Sequence, residues 1–119
     1  MEQEQAKLNW IEKPWGAYAV IFCGDGHLVK ILRVNAKAQL SLQSHKHRTE
    51  RWTILSGRAN VMLEGNLYQL AESDTLLIPA QAKHRLINPA GSPLQVLESS
   101  FGEIISEEDI VRHEDEYGR

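Results

Sequence analysis

Cysteine is almost absent from this sequence, which holds Cys23 and no second thiol that could pair with it. A scaffold held by internal disulfides is therefore excluded, and a reducing compartment is expected. No apolar run approaches the about 20 residues that a membrane-spanning helix needs. The first ten residues, MEQEQAKLNW, are polar and lack the apolar segment of a secretion signal. We therefore expect a cytoplasmic protein without membrane association.

Positive charge is also scarce, since 13 Lys and Arg residues stand against 16 Asp and Glu residues and the formal net charge is -3. This balance offers no broad basic face, so nucleic-acid binding is not expected. The chain has 119 residues, of which 42% are hydrophobic. A chain of this length buries about two-thirds of its unfolded surface without disulfides. We expect a polar N-terminal arm over residues 1–12 and a single domain over residues 13–119.

Long helical patterns are missing, and apolar and polar residues alternate instead. Turn residues, as around Gly24 and Gly65, separate about nine short strands, predicted at 17–22, 27–34, 40–43, 52–55, 59–63, 67–70, 75–78, 84–87 and 94–100. One helical signal comes late, where Ser106 precedes three acidic residues that suit a helix N-terminus, with Ile110 as an apolar position. The pattern predicts an all-β antiparallel barrel or jelly roll with a short C-terminal helix.

The most informative stretch is residues 43–50, which contains two histidines separated by one residue. On a strand, His45 and His47 point to the same side and can share one ion. Glu50 follows after a short corner, and His84 begins a later strand. Three imidazoles and one carboxylate suit one divalent metal ion, such as Zn, Mn, Fe, Ni or Co, and leave a position open for water or substrate.

A histidine pair by itself is more typical of a solvated, charged surface, and Lys46, Arg48 and Arg51 are its neighbours. The wider spacing favours the metal site, because it resembles the two motifs of the cupin superfamily. The matching positions are His45, His47, Glu50 and Gly57 in the first motif, and Pro79, His84 and Asn88 in the second. The chain departs from the motifs in having one residue fewer between His47 and Glu50, and in having no glycine at Gln39, Ser73 and Gln81.

A closer resemblance, to the C-terminal domain of type II phosphomannose isomerases, covers most of the chain. It is carried by KPWGAY at 13–18, LSLQSHKHRTERW at 40–52, IPA at 78–80, HRLINP at 84–89 and EDIVRHEDEYGR at 108–119. It implies a cupin double-stranded β-helix that interconverts mannose 6-phosphate and fructose 6-phosphate with a metal ion, in the supply of GDP-mannose for polysaccharides. In that family this domain is usually fused to a mannose-1-phosphate guanylyltransferase. Because 119 residues are too few for the fused protein, we expect the isomerase domain standing alone.

Such an isomerisation needs a metal electrophile, a general base and cations that hold the phosphate. The expected metal ligands are His45, His47, Glu50 and His84, and Gln43 is expected to bind either the metal or a substrate hydroxyl. The expected phosphate-binding residues are Arg48, Arg85, Arg112 and Arg119, of which Arg48, Arg112 and Arg119 join Glu50 as catalytic candidates. The acid/base stays open among Glu50, Glu98, Glu114 and Asp115.

Two other function classes remain open from the sequence. One is a non-catalytic cupin that binds a sugar or sugar nucleotide, and the other is a different metal cupin enzyme, such as a dioxygenase, which uses a similar ligand set. The expected partner is a small-molecule sugar phosphate. The resemblance also leads us to expect a homodimer, because exposed edge strands of such barrels need covering.

Overall fold

A computed structural model of the chain describes residues 7–103 and 105–118, and within these ranges all regular structure is β. The eleven strands found there are β1 (Ile11–Lys13), β2 (Gly16–Gly24), β3 (His27–Val34), β4 (Leu42–Ser44), β5 (Thr49–Ser56), β6 (Ala59–Leu63), β7 (Asn66–Leu70), β8 (Thr75–Ile78), β9 (His84–Ile87), β10 (Leu94–Phe101) and β11 (Val111–Glu114). No helix that could cross a membrane occurs among the described residues.

Two antiparallel sheets share these strands. The larger sheet has the order β1-β2-β3-β10-β5-β8, and the smaller has the order β11-β4-β9-β6-β7. Strands that are neighbours in a sheet are mostly distant in sequence, which is typical of a jelly roll. The all-β prediction is confirmed, and the predicted ranges 27–34, 59–63, 75–78 and 84–87 agree with the strands residue for residue. Strand β1 starts inside the stretch that we expected to be an arm and pairs with β2.

The interior is built by alternation along the strands, which sends every second side chain inwards. In β3 the inward positions are Lys30, Leu32 and Val34, and in β5 they include Glu50. In β10 Glu98 follows the same inward row as buried apolar residues. The apolar part of the rows forms one core, made of Trp15, Leu32, Val34, Leu40, Trp52, Ile54, Ala59, Val61, Ile78, Leu86, Leu94 and Val96. Charged side chains therefore lie inside the barrel beside a close-packed core.

The predicted C-terminal helix is wrong. Ser106 does begin a turn, because its hydroxyl accepts a hydrogen bond from the Glu108 N–H and its carbonyl accepts one from the Asp109 N–H. The chain then becomes extended, and β11 pairs with β4. The acidic residues that favoured a helix N-terminus serve tertiary contacts instead, since Glu107 binds Lys30 and Asp109 binds backbone N–H groups near His45.

Left-handed backbone angles occur at turns in four non-glycine residues of the described ranges, one of which is Glu64 with φ of 47°. Ser73 and Gln81, which stand where the cupin motifs have glycine, both have φ of 71°, and Lys37 has φ of 61°. The turns thus keep the geometry that glycine adopts freely, at a local cost in strain. Asn88 secures a neighbouring loop, because its amide donates to the carbonyl oxygens of Val34, Asn35 and Ser92.

At Gly16 the start of β2 lies close against the backbone of β3. Its φ is +151°, and a Cβ there would lie 1.9 Å from the carbonyl oxygen of Arg33. A methyl group at this position forces the paired strands apart, since backbone atoms cannot yield as a flexible side chain can. This contact gives a physical reason for the glycine in the KPWG segment.

We predict that Gly16→Ala lowers the free energy of unfolding by at least about 2 kcal/mol, because the added methyl overlaps backbone. Chemical denaturation measures the change. Gly91→Ala is the matched control, since a Cβ at Gly91 meets nothing within 4 Å, and its effect should stay within about 0.5 kcal/mol. Equal effects of the two substitutions would contradict the assignment of the close approach.

Candidate metal centre

Three buried side chains meet inside the barrel. His45 follows β4, Glu50 lies on β5 and His84 opens β9, so both sheets contribute. One ligand atom from each residue lies within 4.8 Å of the others. The Nε2 atom of His45 is 3.4 Å from one Glu50 carboxylate oxygen, and the Nε2 atom of His84 is 3.8 Å from the other. The fold therefore brings together three of the four predicted ligands.

The hydrogen bonds of the two imidazoles fix where their protons are. The Nδ1 atom of His45 is 2.6 Å from the Asp109 carbonyl oxygen, and the Nδ1 atom of His84 is 2.9 Å from the Ala82 carbonyl oxygen. A carbonyl oxygen can only accept, so each Nδ1 carries the hydrogen and each Nε2 presents a lone pair. The Nε2 atom of His84 is buried without a hydrogen-bond partner. Both lone pairs face the Glu50 carboxylate.

Burial also keeps these histidines neutral. Removal from water, and then the nearby Arg48 cation, lower the pKa of His45 to about 4, against the opposing effect of the Asp109 carbonyl. Burial is likewise the main cause that lowers the pKa of His84. At neutral pH both imidazoles are therefore neutral, which is the state in which a histidine binds a metal ion without first losing a proton.

Glu50 is held in position from both sides. One of its oxygens accepts a hydrogen bond from Trp52 Nε1 at 3.1 Å, and the other accepts one from Arg48 Nε at 2.8 Å. Trp52 also packs edge-on against the His84 ring, with centroids 5.5 Å apart. Such partners orient the ligating groups and are part of a working metal site. The donor set, with one nitrogen atom left orphaned in the interior, fits a divalent ion.

The expectation that His47 points the same way as His45 is wrong. Strand β4 ends at Ser44, and residues 45–48 form a bend, so strand alternation does not apply to this pair. The His47 side chain is exposed and lies outside the cluster. Its backbone N–H donates to a carboxylate oxygen of Asp109 at 2.9 Å. The structure thus assigns His47 to the surface around the bend.

A cavity opens from the cluster to the surface of the barrel. Besides the three cluster residues, polar and aromatic side chains line it, namely Lys13, Trp15, Tyr18, Lys30, Ser41, Gln43, Arg48, Trp52, Glu98, Glu107 and Arg112. Gln43 is buried and is the register partner of His84 across β4 and β9. The cavity therefore combines the candidate metal centre with carboxylate, amide, ammonium and guanidinium groups.

Glu98 is the carboxylate beside the cluster. It is buried in β10 and opposite Trp52 of β5 in register. Burial first, and then the Glu50 carboxylate with which it shares a hydrogen bond, raise the pKa of Glu98 to about 7, against the lowering effects of Lys30 and Arg48. From the sequence, Glu98 is one of four acid/base candidates. Its position in phase with buried residues on β10 is the signal that singles it out.

The structure places the arginines that were predicted to bind phosphate in different surroundings. Arg48 is buried, and each of its three guanidinium nitrogens has a partner, namely Glu50, the Ser106 carbonyl and His45 Nε2. Arg112 is exposed on β11 and lines the cavity. Arg85 follows the inward-pointing His84 and so faces the other way, where it contacts Glu114 and donates to the Leu40 carbonyl. The phosphate-binding prediction for Arg85 is therefore not supported by its position, and Arg119 lies outside the described residues.

A C-terminal strap, defined here as residues 106–112, completes the site. The Asp109 carboxylate accepts hydrogen bonds from the backbone N–H groups of Lys46 and His47, both at 2.9 Å, while its carbonyl orients His45. Desolvation raises the pKa of Asp109, but these N–H donors outweigh it and hold the pKa below its usual range. Glu107 contacts Lys30 from the same strap. The strap is therefore joined to the cluster directly through His45, and to the neighbouring bend through Lys46 and His47.

Comparison with solved structures shows the fold. Oxalate decarboxylase from Bacillus subtilis aligns with a TM-score of 0.79 at 16% identity, over 89% of this chain and 30% of that one. A cupin-2 domain from Rhodospirillum rubrum aligns with a TM-score of 0.70 at 21% identity, over 91% of this chain and 82% of that one. The predicted cupin double-stranded β-helix is thus confirmed, apart from the short C-terminal helix.

Comparison of sequences shows the family. The chain is 41% identical over 92% of its length to the alginate biosynthesis protein AlgA of Pseudomonas putida, and covers 22% of that protein. It is 39% identical over 92% of its length to a mannose-1-phosphate guanylyltransferase of Escherichia coli, covering 23% of it. It is 43% identical over 97% of its length to the xanthan biosynthesis protein XanB of Xanthomonas campestris, covering 25% of it. A family model matches residues 1–115, and the chain belongs to the family described as mannose-6-phosphate isomerase C-terminal.

Proposed function

We propose that this domain catalyses the metal-dependent interconversion of mannose 6-phosphate and fructose 6-phosphate, in the supply of activated mannose for polysaccharide synthesis. One observation carries the proposal: a buried set of two neutral imidazoles and a carboxylate shares its cavity with Glu98 and with cations near the opening. Membership of the isomerase family and the names of the relatives support it. Because Cys23 is the one cysteine of the chain, a reducing cytoplasm is the compartment that we propose.

The ligands that we propose for a divalent ion are His45, Glu50 and His84, with the Gln43 amide oxygen as a fourth. An ion bound there supplies an electrophile for the carbonyl oxygen of the open-chain sugar and its neighbouring hydroxyl. The hydrogen bonds from Trp52 and Arg48 keep the Glu50 carboxylate directed at this position. The buried walls of the cavity strengthen each of these electrostatic contacts.

Glu98 is the group that we assign as general base. It takes the proton from C2 of the aldose and returns it to C1 of the resulting enediol. The aldehyde becomes a ketone once the hydroxyl proton on O2 has moved to O1. Glu98 lies in the cavity wall beside the proposed ligand Glu50, so its ionised form places a base in the same cavity as the proposed metal ligands. Glu114 is exposed and paired with Arg85 on another face, which argues against it in this role.

A second candidate function has one specific observation in its favour. The Arg48 guanidinium contacts both Glu50 and His45 Nε2, so a protein cation already lies against two of the proposed ligands. This contact suits a non-catalytic cupin that binds a sugar or sugar nucleotide without a metal. Metal content and isomerase activity distinguish the two functions, because the binding protein has neither.

We predict that His84→Ala weakens binding of Zn²⁺ or Mn²⁺ by more than about a hundredfold, since it removes a ligand rather than an outer partner of one. His47→Ala is the matched control and should bind metal as the unmodified protein does, because its side chain is exposed outside the cluster. Metal content after dialysis against a metal buffer measures both. Equal metal loss in both variants would return His47 to the ligand set.

We predict that Glu98→Gln lowers kcat for mannose 6-phosphate by about 100- to 10,000-fold, which is the usual contribution of a general base. The substitution keeps shape and removes basicity, so metal content should be retained. Glu114→Gln serves as the control and should leave kcat unchanged. A coupled assay with and without chelator gives the rates. An active Glu98→Gln enzyme would show that another group moves the proton, and an unmodified protein inactive with every metal would favour the binding function.

A further inference from the structure

We propose that Lys30, with Lys13 beside it, forms the subsite that binds the phosphate group of the substrate, and that the Glu107 carboxylate holds this subsite while no substrate is bound. The inference rests on the proposed function, because it names where the phosphorylated end of the hexose lies in the same cavity. Neither lysine belongs to the phosphate-binding set that the sequence patterns suggested.

Lys30 is an ammonium group inside the barrel. Its side chain is only 6% exposed, and it lies on β3 in the inward row that continues with Leu32 and Val34. Burying an ammonium group is costly unless anions compensate for it. Glu98, its register partner on β10, is one nearby carboxyl group, but that group is also hydrogen-bonded to Glu50. The direct contact of the Lys30 Nζ atom is with Glu107.

Glu107 is an anion that can leave this position. It belongs to the strap, outside any strand, and its side chain is 61% exposed while that of Lys30 is buried. The carboxylate therefore lies on the solvent side of the ammonium group, where an incoming anion arrives. Because one edge of the subsite is a turn rather than a sheet, exchanging one anion for another does not require a strand to separate.

Several cations act on the Glu107 carboxylate. Lys30 contacts it, and Arg48 and Lys13 act on it at longer range, so that these cations hold the pKa of Glu107 below its usual range although desolvation raises it. A phosphate monoester carries close to two negative charges at neutral pH and offers three acceptor oxygens. With two charges and three acceptor oxygens, it can contact both Lys30 and Lys13, whereas the Glu107 carboxylate contacts Lys30.

Both lysines lie against the same aromatic ring in the wall of the cavity. The Nζ atom of Lys30 lies 4.6 Å from the centre of the Tyr18 ring, and that of Lys13 lies 5.7 Å from the same centre. All three residues line the cavity that contains His45, Glu50 and His84. A sugar phosphate whose reacting carbons lie at the cluster can thus direct its phosphate towards this pair.

The other cations are less suited to the role. The Arg48 guanidinium is hydrogen-bonded to Glu50, Ser106 and His45. Arg85 lies outside the cavity. Arg112 is exposed at the cavity wall and can add a contact from the rim. Among the described residues, Lys30 is therefore the buried cation in the cavity whose direct carboxylate partner is replaceable.

Two substitutions with opposite expected effects test the subsite. Calorimetric titration of the metal-loaded protein measures the affinities for mannose 6-phosphate, mannose and inorganic phosphate. Lys30→Met should weaken mannose 6-phosphate binding by about tenfold to a hundredfold, through loss of charge-assisted hydrogen bonds, and leave mannose unaffected. Glu107→Gln should tighten mannose 6-phosphate and inorganic phosphate by about three- to tenfold, because it removes the competing anion. Lys7→Met is the control, because it also removes one positive charge but at an exposed position. It should leave the affinities for all three ligands unchanged.

The contrast separates a binding subsite from a structural ion pair, in which both substitutions weaken binding together or leave it unchanged. Either of those results overturns the proposal, and so does an unmodified protein that fails to bind mannose 6-phosphate. If Lys30→Met does not fold, tightening by Glu107→Gln decides the question alone. Phosphate binding that depends on Lys30 in a protein without isomerase activity would refute the proposed function and keep the subsite. If the unmodified protein has isomerase activity and Lys30→Met binds mannose 6-phosphate with unchanged affinity, the phosphate subsite would be refuted and the proposed function kept.

Discussion

The interaction on which the site depends is the pair of hydrogen bonds from imidazole Nδ1–H groups to backbone carbonyls. The Asp109 and Ala82 carbonyls fix the tautomers of His45 and His84, so both Nε2 lone pairs point at the Glu50 carboxylate. Acceptors gathered in a dry interior repel one another unless a cation lies among them. The Arg48 cation contacts His45 and supplies part of the positive charge that these acceptors require. The Nε2 atom of His84 has no partner, and it marks the side of the cluster where a further cation fits.

The strap extends this constraint to the C-terminal end of the domain. One residue, Asp109, orients His45 through its carbonyl and caps the neighbouring bend through its carboxylate. Glu107, two residues earlier, meets the buried Lys30. Residues far apart in the chain thus build one cavity, in which one end carries the proposed metal ligands and the other carries the proposed phosphate subsite. The strap therefore contacts both ends of the cavity.

Alternation predicted nine of the eleven strands in the described part of the chain, because a strand with one buried face shows a period of two in the sequence. It missed β1 and β11, whose residues are exposed throughout. It failed at His47, where the strand ends before the histidine pair, and at the C-terminus, where acidic residues that suit a helix start serve Lys30 and the bend instead. Lys30 and Glu98 were detectable as charged residues in phase with buried ones. The contact between the strap and His45 was not, because nothing in a sequence reports a carbonyl acceptor 64 residues away from its donor.

The central claim is that His45 and His84, and no other histidines, offer Nε2 to a metal ion while keeping a hydrogen on Nδ1. Proton NMR of the protein loaded with Co²⁺ tests it directly, because ring N–H protons of ligating histidines shift far outside the ordinary range. We expect two such signals that disappear in D₂O, slowly because both imidazoles are buried and both N–H groups are hydrogen-bonded. Three signals would bring His47 into the ligand set. The absence of any shifted N–H signal from the cobalt-loaded protein would contradict metal binding by His45 and His84.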